Sequence, residues 1–357
     1  MSLTMQEIKS QYAALRQTFD YMQSKRDDIV AFLRGAAPST VAFVGCGSSY
    51  CLSEAAAFSF RLRAGVPSFA LAGGDLLLHR ERYAPLLRDA LIVAPSRSGS
   101  TSEVVEALRL VAEAQRAPSS DGAARRARTL AISCVTDSPL SRQADFALEL
   151  PWAFDHSVCQ TRTVTNLYAA DLLLSAFAGG DEALIEDVRS AIALGEAYMA
   201  RVEAPIRAAA DFGWTNAVVL ADGELYGLAA EGAIALTEIA RMQAHAHHLL
   251  DVRHGPMVTV GPDTLVVATV TKEDGTFAAD LLRDVKSRGA TVVAFADPSV
   301  PLPAAHVDCA VVFERALDPA ALGIPFLFIP QIAAVCAAER QGVDPDRPDG
   351  LTAWIKL

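Results

Sequence analysis

The 357-residue chain lacks the basic surface that marks a nucleic-acid-binding protein. Its net charge is −11 and its pI is about 5.1, whereas contact with many phosphates requires a positively charged face. The densest basic run, Arg125, Arg126 and Arg128, lies in a polar stretch that we interpret as a solvated turn. We therefore expect no nucleic-acid partner.

Signals for secretion and for membrane insertion are also missing. The opening residues, MSLTMQEIKSQ, contain no charged leader followed by an apolar stretch. No uninterrupted apolar run approaches the roughly 18 residues that a membrane span needs. The sequence is accordingly expected to be cytoplasmic and to have no membrane partner.

Cysteine pairs and metal-ligand spacings are absent as well. The six cysteines form no C-x-x-C pair and lie in apolar runs, at positions 46, 51, 134, 159, 309 and 336. We expect buried, reduced thiols. The histidines at 245, 247, 248 and 254 do not follow a zinc-protease pattern, and GCGSSY (45–50) departs from the dinucleotide-binding G-x-G-x-x-G form. Neither a metal nor a cofactor is expected.

What the chain does contain is a regular alternation of apolar strands and helices. Hydrophobic residues make up 52% and charged residues 20%, which suits two folded domains. Strands are predicted at 40–47, 67–72, 90–96, 129–135, 146–151, 216–222, 263–270, 290–297 and 308–314. Helices are predicted at 1–35, 49–64, 101–116, 161–178, 180–212, 225–243, 276–288 and 325–341. Near-continuous apolar strands separated by helices indicate an α/β fold with parallel sheets covered on both faces.

The two halves of the chain resemble each other. VAFVGCGSSYCLSEAA aligns with AVVLADGELYGLAAEG, and DALIVAPSRSGS aligns with DTLVVATVTKED. We interpret the chain as one α/β unit duplicated in tandem. The predicted organisation is a helical segment (1–35), a first domain (36–190), a second domain (191–341) and a C-terminal tail (342–357) that closes over the site.

A cluster of hydroxyls, which we call the hydroxyl loop (96–101, SRSGST), ends one strand of the first copy. The corresponding turn of the second copy, 270–274, carries charged residues instead. Hydroxyls and backbone N–H groups at a helix N-terminus form an anion site, at the strand end where ligands of α/β sheets bind. We predict a phosphate site in which Gly99 lets the backbone approach the ligand. A polar capped loop is the alternative.

A second loop of this kind, the glycine–serine loop (45–50, GCGSSY), follows the first strand. Two such loops at neighbouring strand ends suggest a small phosphorylated ligand.

Acid–base residues are concentrated in the second copy. Glu231 and Glu238 are two helical turns apart and so share one face of an otherwise apolar helix. This face is either a pocket rim or a surface, and half-burial would raise the pKa of a carboxylate toward that of a general base. His254 lies in RHGP, a forced turn that presents its side chain.

These motifs resemble the sugar isomerase (SIS) domain family. The matching stretches are GCGSSY, SRSGSTSE, SVCQTRTVTN, EGAIALTEI, RHGP and GVDPDRPDGL. The chain is most similar to the isomerase half of glutamine–fructose-6-phosphate aminotransferase and to stand-alone phosphosugar isomerases and amino-sugar-phosphate deaminases. The resemblance covers about residues 35 to 357 and implies two tandem five-stranded flavodoxin-like units.

The resemblance also implies site residues and partners. It implies a phosphosugar as the small-molecule ligand, Glu238 as the base between C1 and C2, and His254 as the residue that assists ring opening. That histidine typically reaches a second subunit, so a homodimer with a shared active site is expected. Phosphate would be bound by Ser49, Ser96, Arg97, Ser98 and Thr101. The sugar would be lined by Cys46, Gly47, Ser48, Val158, Gln160 and Glu231.

Two departures from the family pattern restrict the reactions that we expect this protein to catalyse. Ala235 and Ala353 occupy positions where the family has lysines, and Ser2 stands where the family's glutaminase domain has its cysteine, so we expect no glutaminase domain. Imine chemistry and glutamine-dependent amination are therefore disfavoured. Acid–base isomerisation or deaminating isomerisation of a hexose or amino-hexose 6-phosphate is expected; fructose, glucosamine and tagatose 6-phosphates are the candidates. A non-catalytic phosphosugar sensor is the alternative.

Overall fold

The structure is a computed structural model that describes residues 1–114 and 126–353. Three predicted features lie outside the described residues. They are the basic run at Arg125, the end of the helix predicted at 101–116 and the end of the predicted tail. Contacts divide the chain into two units. The first unit comprises Ala13–Asp155, Arg162–Glu186 and the chain from Thr352, and the second comprises Met1–Tyr12, His156–Thr161 and Asp187–Leu351.

The first unit is built on a five-stranded parallel sheet with the order β2-β1-β3-β4-β5. Its strands are β1 (Thr40–Gly45), β2 (Ser68–Ala72), β3 (Ala90–Ser96), β4 (Arg128–Ser133) and β5 (Phe146–Glu149). Its helices are α2 (Arg26–Ala36), α3 (Ser48–Ala64), α4 (Gly73–Leu87), α5 (Ser102–Ala114), α6 (Pro139–Gln143) and α7 (Arg162–Gly179). All seven residues of β3 are buried, because helices cover both faces of the sheet.

The second unit repeats this design with the order β10-β9-β8-β6-β7. Its strands are β6 (Asn216–Leu220), β7 (Gln243–His247), β8 (Thr264–Thr269), β9 (Thr291–Ala296) and β10 (Cys309–Val312). Its helices are α9 (Tyr226–Ala240), α10 (Gly275–Ser287) and α11 (Pro319–Gln341). Every strand pair is parallel. The tandem α/β prediction is therefore confirmed.

Two long helices contribute residues to both units. The first twelve residues belong to the second unit, although helix α1 (Leu3–Ser24) continues into the first. Helix α8 (Glu182–Ala210) likewise begins in the first unit and continues in the second. In the second unit, Ile8 and Tyr12 are completely buried, so this N-terminal stretch is part of that unit's core.

Three elements were not predicted. Strand β7 (QAHAH) follows α9 without the glycine that usually ends a helix, and the sequence analysis treated it as a histidine cluster. Helix α4 begins with two glycines, contains Pro85 and bends at His79, so its pattern is broken. Helix α6 has only five residues. The other predicted strands and helices occur within a few residues of their expected ends, with α11 beginning six residues earlier than predicted.

The prediction of unpaired, buried cysteines is confirmed except for the burial of Cys46, and the reduced state stays a prediction. All six thiols are free; Cys46 is half-buried and the other five are buried. Within residues 1–114 and 126–353, no group of three His, Cys, Asp or Glu side chains could hold a metal ion.

Helix α11 combines length with an apolar composition. It is long and apolar enough to cross a membrane, a feature missed because Gln331 interrupts the apolar run. The apolar window is entirely buried inside the protein, which is typical of a core helix.

Candidate active site

In the first unit, two polar loops follow neighbouring strands at the switch point of the sheet. Strands β1 and β3 are paired directly, and the connections leave them in opposite directions. The glycine–serine loop leads from β1 into α3, and the hydroxyl loop leads from β3 to α5. Open α/β sheets bind their ligands in the crevice at such a point. The sequence-predicted phosphate residues are thus brought to one edge of this sheet.

Internal hydrogen bonds hold the hydroxyl loop in shape. The Ser96 hydroxyl accepts a hydrogen bond from the Gly99 N–H at 3.0 Å, and the Ser98 hydroxyl accepts one from the Ser100 N–H at 3.2 Å. The Arg97 carbonyl accepts from the Cys134 N–H at 3.1 Å. Ser96, Arg97 and Ser98 are buried and Thr101 is half-buried. The conformation of the loop is therefore held by hydrogen bonds within the protein, and the Ser96 and Ser98 hydroxyls, which accept in these bonds, each keep a proton to donate.

Gly99 is required by the packing of this loop. Its φ is +58°, and a Cβ added there would lie 2.2 Å from the Ser138 Oγ. Its carbonyl accepts from the Leu140 N–H at 2.9 Å, which ties the loop to α6. The structure thus gives one physical reason for glycine at this position, the close approach of the loop to Ser138, and the close approach of the Gly99 backbone to a ligand stays a prediction.

The glycine–serine loop brings the start of α3 against the end of β1. A Cβ on Gly45 would lie 2.4 Å from the Ser49 backbone, so only glycine permits this approach. Gly47 has a φ of +55° and begins the helix turn, with its carbonyl accepting from the Tyr50 N–H at 2.9 Å. Ser48 and Ser49 are buried at the helix N-terminus, where backbone N–H groups favour an anion.

Each loop also carries a thiol or a cation: Cys46 lies in the glycine–serine loop and Arg97 in the hydroxyl loop. Burial, and secondarily the charge of Glu103, raises the pKa of the Cys46 thiol, so this predicted sugar-lining group is a neutral thiol at pH 7. The buried Arg97 guanidinium donates to the Ala353 carbonyl at 2.6 Å. The backbone of the tail position where the family has lysine is therefore in contact with the hydroxyl loop.

In the second unit, Glu238 lines a pocket of about 370 Å³. The wall is formed by the end of α9, the start of β7 and part of the tail, namely Thr237, Glu238, Arg241, Met242, Gln243 and Pro348–Leu351. Glu238 is half-buried, as the pocket-rim interpretation predicts, whereas Glu231 on the same helix is only 1% exposed. The two carboxylates therefore occupy different environments, and Glu238 is the one open to a ligand.

The RHGP turn exposes His254. This histidine lies between two short turns, Asp251–Arg253 and Pro256–Thr259, and Gly255 beside it has a φ of +127°. Arg253 fixes the turn by donating to the Asp284 carboxylate at 2.6 and 3.0 Å. The side chain of His254 is exposed, in agreement with the prediction that the turn presents it.

Val158 and Gln160 belong to the second unit, although the predicted first domain (36–190) includes them. Their segment is held by the Glu7 carboxylate, which accepts from the His156 N–H at 2.6 Å. Val158 N–H donates to the Asp346 carbonyl at 3.0 Å. The Gln160 Oε1 is buried and has no hydrogen-bond partner among the described residues. A polar atom left in this way is available to a ligand.

Two features of the second unit were missed by sequence reasoning. His248 Nδ1 lies 2.7 Å from the Asp222 carboxylate, and its ring stacks on Tyr226 with 4.0 Å between centroids. Arg241 follows the catalytic-helix candidate in a left-handed conformation. Neither residue belongs to a recognisable motif, because the strand that places His248 and the helix end that places Arg241 are visible only in the fold.

The family model for the SIS domain matches residues 36–176 and 212–309, more than half of the chain. Among curated proteins, the chain is 27% identical over 333 residues to glutamine–fructose-6-phosphate aminotransferase of Symbiobacterium thermophilum. That match covers 89% of this chain and 51% of the relative, so the chain spans about half the length of the curated relatives it matches.

Solved structures of similar proteins show the same fold. Tagatose-6-phosphate ketose/aldose isomerase from Escherichia coli superposes with a TM-score of 0.84 at 21% identity, covering 100% of this chain and 96% of that one. Glucosamine-6-phosphate deaminase from Thermotoga maritima gives a TM-score of 0.79 at 22% identity, with 100% of both chains covered.

Proposed function

Because this chain belongs to the SIS domain family, we propose that it is a phosphosugar isomerase. The reaction is aldose–ketose or deaminating isomerisation of a hexose or amino-hexose 6-phosphate, with a proton transferred between C1 and C2. The first unit recognises the phosphate and the second supplies the acid–base groups. Glucosamine-6-phosphate and tagatose-6-phosphate appear in the names of similar structures and are the first substrates to test.

The observation that carries the proposal is the preformed hydroxyl loop at the switch point of the first sheet. Buried serines and helix N-terminal N–H groups suit a phosphate monoester. The corresponding turn of the second unit is closed to an anion, because the Asp274 carboxylate accepts from the Thr271 N–H at 2.6 Å. The Asp274 carboxylate takes up the Thr271 N–H and the Thr271 hydroxyl and repels a phosphate. The two copies have therefore diverged, and phosphate binding belongs to the first.

Glu238 is assigned as the general base. Its half-buried carboxylate lines a pocket large enough for a sugar, and proton abstraction by a positioned carboxylate needs no imine. The alanines at 235 and 353 are consistent with that route. His254 is assigned to ring opening, in which the imidazole takes the anomeric hydroxyl proton and returns a proton to the ring oxygen.

A homodimer is part of the proposal, and so is a cytoplasmic location. The His254 side chain is exposed, so it is accessible to a second copy of the chain. The buried free thiols suit a reducing compartment.

Proton exchange tests the reaction directly. The protein is incubated in heavy water with fructose, glucosamine or tagatose 6-phosphate, and loss of the C1 or C2 proton is followed by NMR. Exchange with at least one sugar is expected. The Glu238→Gln variant should bind the same sugar, detected as thermal stabilisation, but lose exchange by at least 100-fold. Glu273→Gln, an exposed change in the same unit, is the matched control and should leave exchange unchanged.

The outcomes separate the alternatives. Stabilisation by a phosphosugar without exchange would support a sensor in place of an enzyme. Full exchange by Glu238→Gln would remove Glu238 from the mechanism.

A further inference from the structure

Residues 156–161, which we call the anchored segment, form neither a helix nor a strand. They lie between the short turn Pro151–Ala153 and the first residue of α7. The backbone N–H groups of such a segment need partners from other parts of the protein where water does not reach them. In the second unit, these partners come from elements that are distant in the chain.

Glu7 of α1 anchors the beginning of this segment. Its carboxylate accepts from the His156 N–H at 2.6 Å and from the Ser157 N–H at 3.3 Å. The Ser157 hydroxyl also contacts this carboxylate and lies 2.9 Å from the Cys159 carbonyl. Glu7 is only 3% exposed. Because hydrogen bonds to a carboxylate are shorter and stronger than those between neutral groups, Glu7 fixes the orientation of two consecutive peptide groups.

Two further contacts hold the middle and the end of the anchored segment. The Val158 N–H donates to the Asp346 carbonyl at 3.0 Å. At the end, the Gln331 Nε2 donates to the Thr161 carbonyl at 3.3 Å. Since a carbonyl only accepts, this contact determines which end of the Gln331 amide faces the segment. Gln331 is 1% exposed within the apolar helix α11, where burial of a polar side chain is costly unless it is hydrogen-bonded.

Gln160 is the residue of the anchored segment whose side chain is left for a ligand. Its Oε1 is buried and has no hydrogen-bond partner among the described residues. Glu7 and Gln331 hold the backbone on either side of it. An acceptor that is already held in place costs little ordering entropy when a ligand binds. Both anchoring residues lie outside the ranges that the SIS family model matches.

We propose that Glu7 and Gln331 are positioning residues for sugar recognition. They hold the anchored segment so that the Gln160 Oε1 accepts a hydrogen bond from a sugar hydroxyl, and neither of them touches the sugar. The inference rests on the proposed function, because Gln160 meets a sugar only if a phosphosugar is the ligand. Phosphate recognition is assigned to the hydroxyl loop of the first unit and does not depend on these two residues.

Two kinds of ligand separate positioning from general stability. Phosphorus NMR titrations give the dissociation constants of inorganic phosphate and of fructose, glucosamine and tagatose 6-phosphates. Glu7→Gln replaces one carboxylate oxygen by an amide NH₂, which cannot accept from the N–H groups of the segment. It should weaken binding of the most tightly bound sugar phosphate by about ten-fold or more and change binding of inorganic phosphate by less than about two-fold.

A second variant and a control accompany Glu7→Gln. Gln331→Met replaces the amide by a side chain of similar length that cannot donate, and it should give the same pattern. Ile8→Val is the matched control. Ile8 is completely buried beside Glu7 on α1, so loss of a methyl group lowers the melting temperature, but both dissociation constants should stay unchanged.

A double-mutant cycle tests whether the effect passes through Gln160. Gln160→Ala removes the amide and should itself weaken binding of the sugar phosphate. In the Gln160→Ala background, Glu7→Gln should cause less than about two-fold further loss, because two changes that act through one contact are not additive. Gln331→Met should behave in the same way.

The results distinguish failure of the inference from failure of the proposed function. Losses that multiply in the double variants would overturn the positioning role, and so would unchanged sugar-phosphate binding or an equal loss for inorganic phosphate. If Glu7→Gln does not fold, Glu7→Asp replaces it; the shorter carboxylate should give the same pattern with a smaller loss. In all these cases, proton exchange with a phosphosugar would leave the proposed function intact. Absence of binding and exchange with every phosphosugar in the unaltered protein would refute both together.

Discussion

Replacing Gly99 by alanine should destabilise the first unit more than a left-handed conformation alone explains. Two costs add at this position. Placing alanine at a φ of +58° costs about 1–2 kcal/mol. The new Cβ would also lie 2.2 Å from the Ser138 Oγ and 2.5 Å from the Ser138 Cβ, and overpacking of this kind typically costs about 1–3 kcal/mol.

The expected total is about 2–5 kcal/mol, which corresponds to a fall in melting temperature of roughly 5–15 °C. Gly65→Ala is the matched control. Gly65 belongs to the same unit and has a φ of +66°, but a Cβ there would meet nothing within 4 Å. Only the conformational cost applies, so a fall of roughly 2–6 °C is expected. Differential scanning fluorimetry at constant protein concentration measures both.

A double variant tests the assigned cause. Ser138→Gly removes the two atoms nearest to the new Cβ and leaves the Ser133 Cβ at 3.2 Å, although it also weakens the cap that Ser138 provides to the Ser141 N–H. In the Ser138→Gly background, Gly99→Ala should lower the free energy of unfolding by about 1–3 kcal/mol less than it does in the original chain. Equal losses for Gly99→Ala and Gly65→Ala, or no relief in the double variant, would refute the packing argument.

Two further predictions concern pH. Burial raises the pKa of Asp171 well above its usual value, and neither carboxyl oxygen has a hydrogen-bond partner in the described residues. The folded protein therefore keeps Asp171 protonated at pH values where the unfolded chain has lost that proton. As a result, the free energy of unfolding decreases as the pH rises from about 4 toward the raised pKa. Between about pH 4 and the raised pKa of Asp171, Asp171→Leu should therefore gain about 1.4 kcal/mol of unfolding free energy over the parent for each pH unit. Urea titrations at several pH values measure this, and parallel pH profiles would contradict it. Burial alone would raise the pKa of Asp346, but hydrogen bonds from Thr4 and Leu3 outweigh it and lower the pKa. The stability that these hydrogen bonds contribute is present above about pH 4 and is lost as the pH falls through the lowered pKa of the folded state. Asp346→Asn should therefore lower the free energy of unfolding more at neutral pH than in acid.

Strand periodicity and duplication made most of the fold predictable. Apolar runs such as 90–96 can only be buried between layers of helices, and their alternation with helices implies parallel order. Strand β7 was missed because its alternating QAHAH pattern is short and follows α9 with Arg241, rather than glycine, at the boundary. Helix α4 was missed because Gly73 and Pro85 disrupt the signals by which helices are recognised.

The candidate site was predictable wherever a loop carries its own chemical signature. The hydroxyl loop and the RHGP turn are of this kind, since hydroxyls, glycine and proline are visible one residue at a time. The environment of Arg241 was not predictable, because its pocket combines the end of α9 with residues 348–351 of the tail. The different burial of Glu231 and Glu238 likewise depends on what packs over each helical turn.

The interleaved membership of the two units limits how the protein can be dissected. A fragment cleaved near residue 190 would carry all five strands of the second sheet, yet it would lack the twelve N-terminal residues and the 156–161 segment. The holes left by Ile8 and Tyr12 would expose apolar surface to water. Genetic exchange of halves between duplicated relatives would face the same obstacle, because the second half of the chain does not contain all of the core of its own unit.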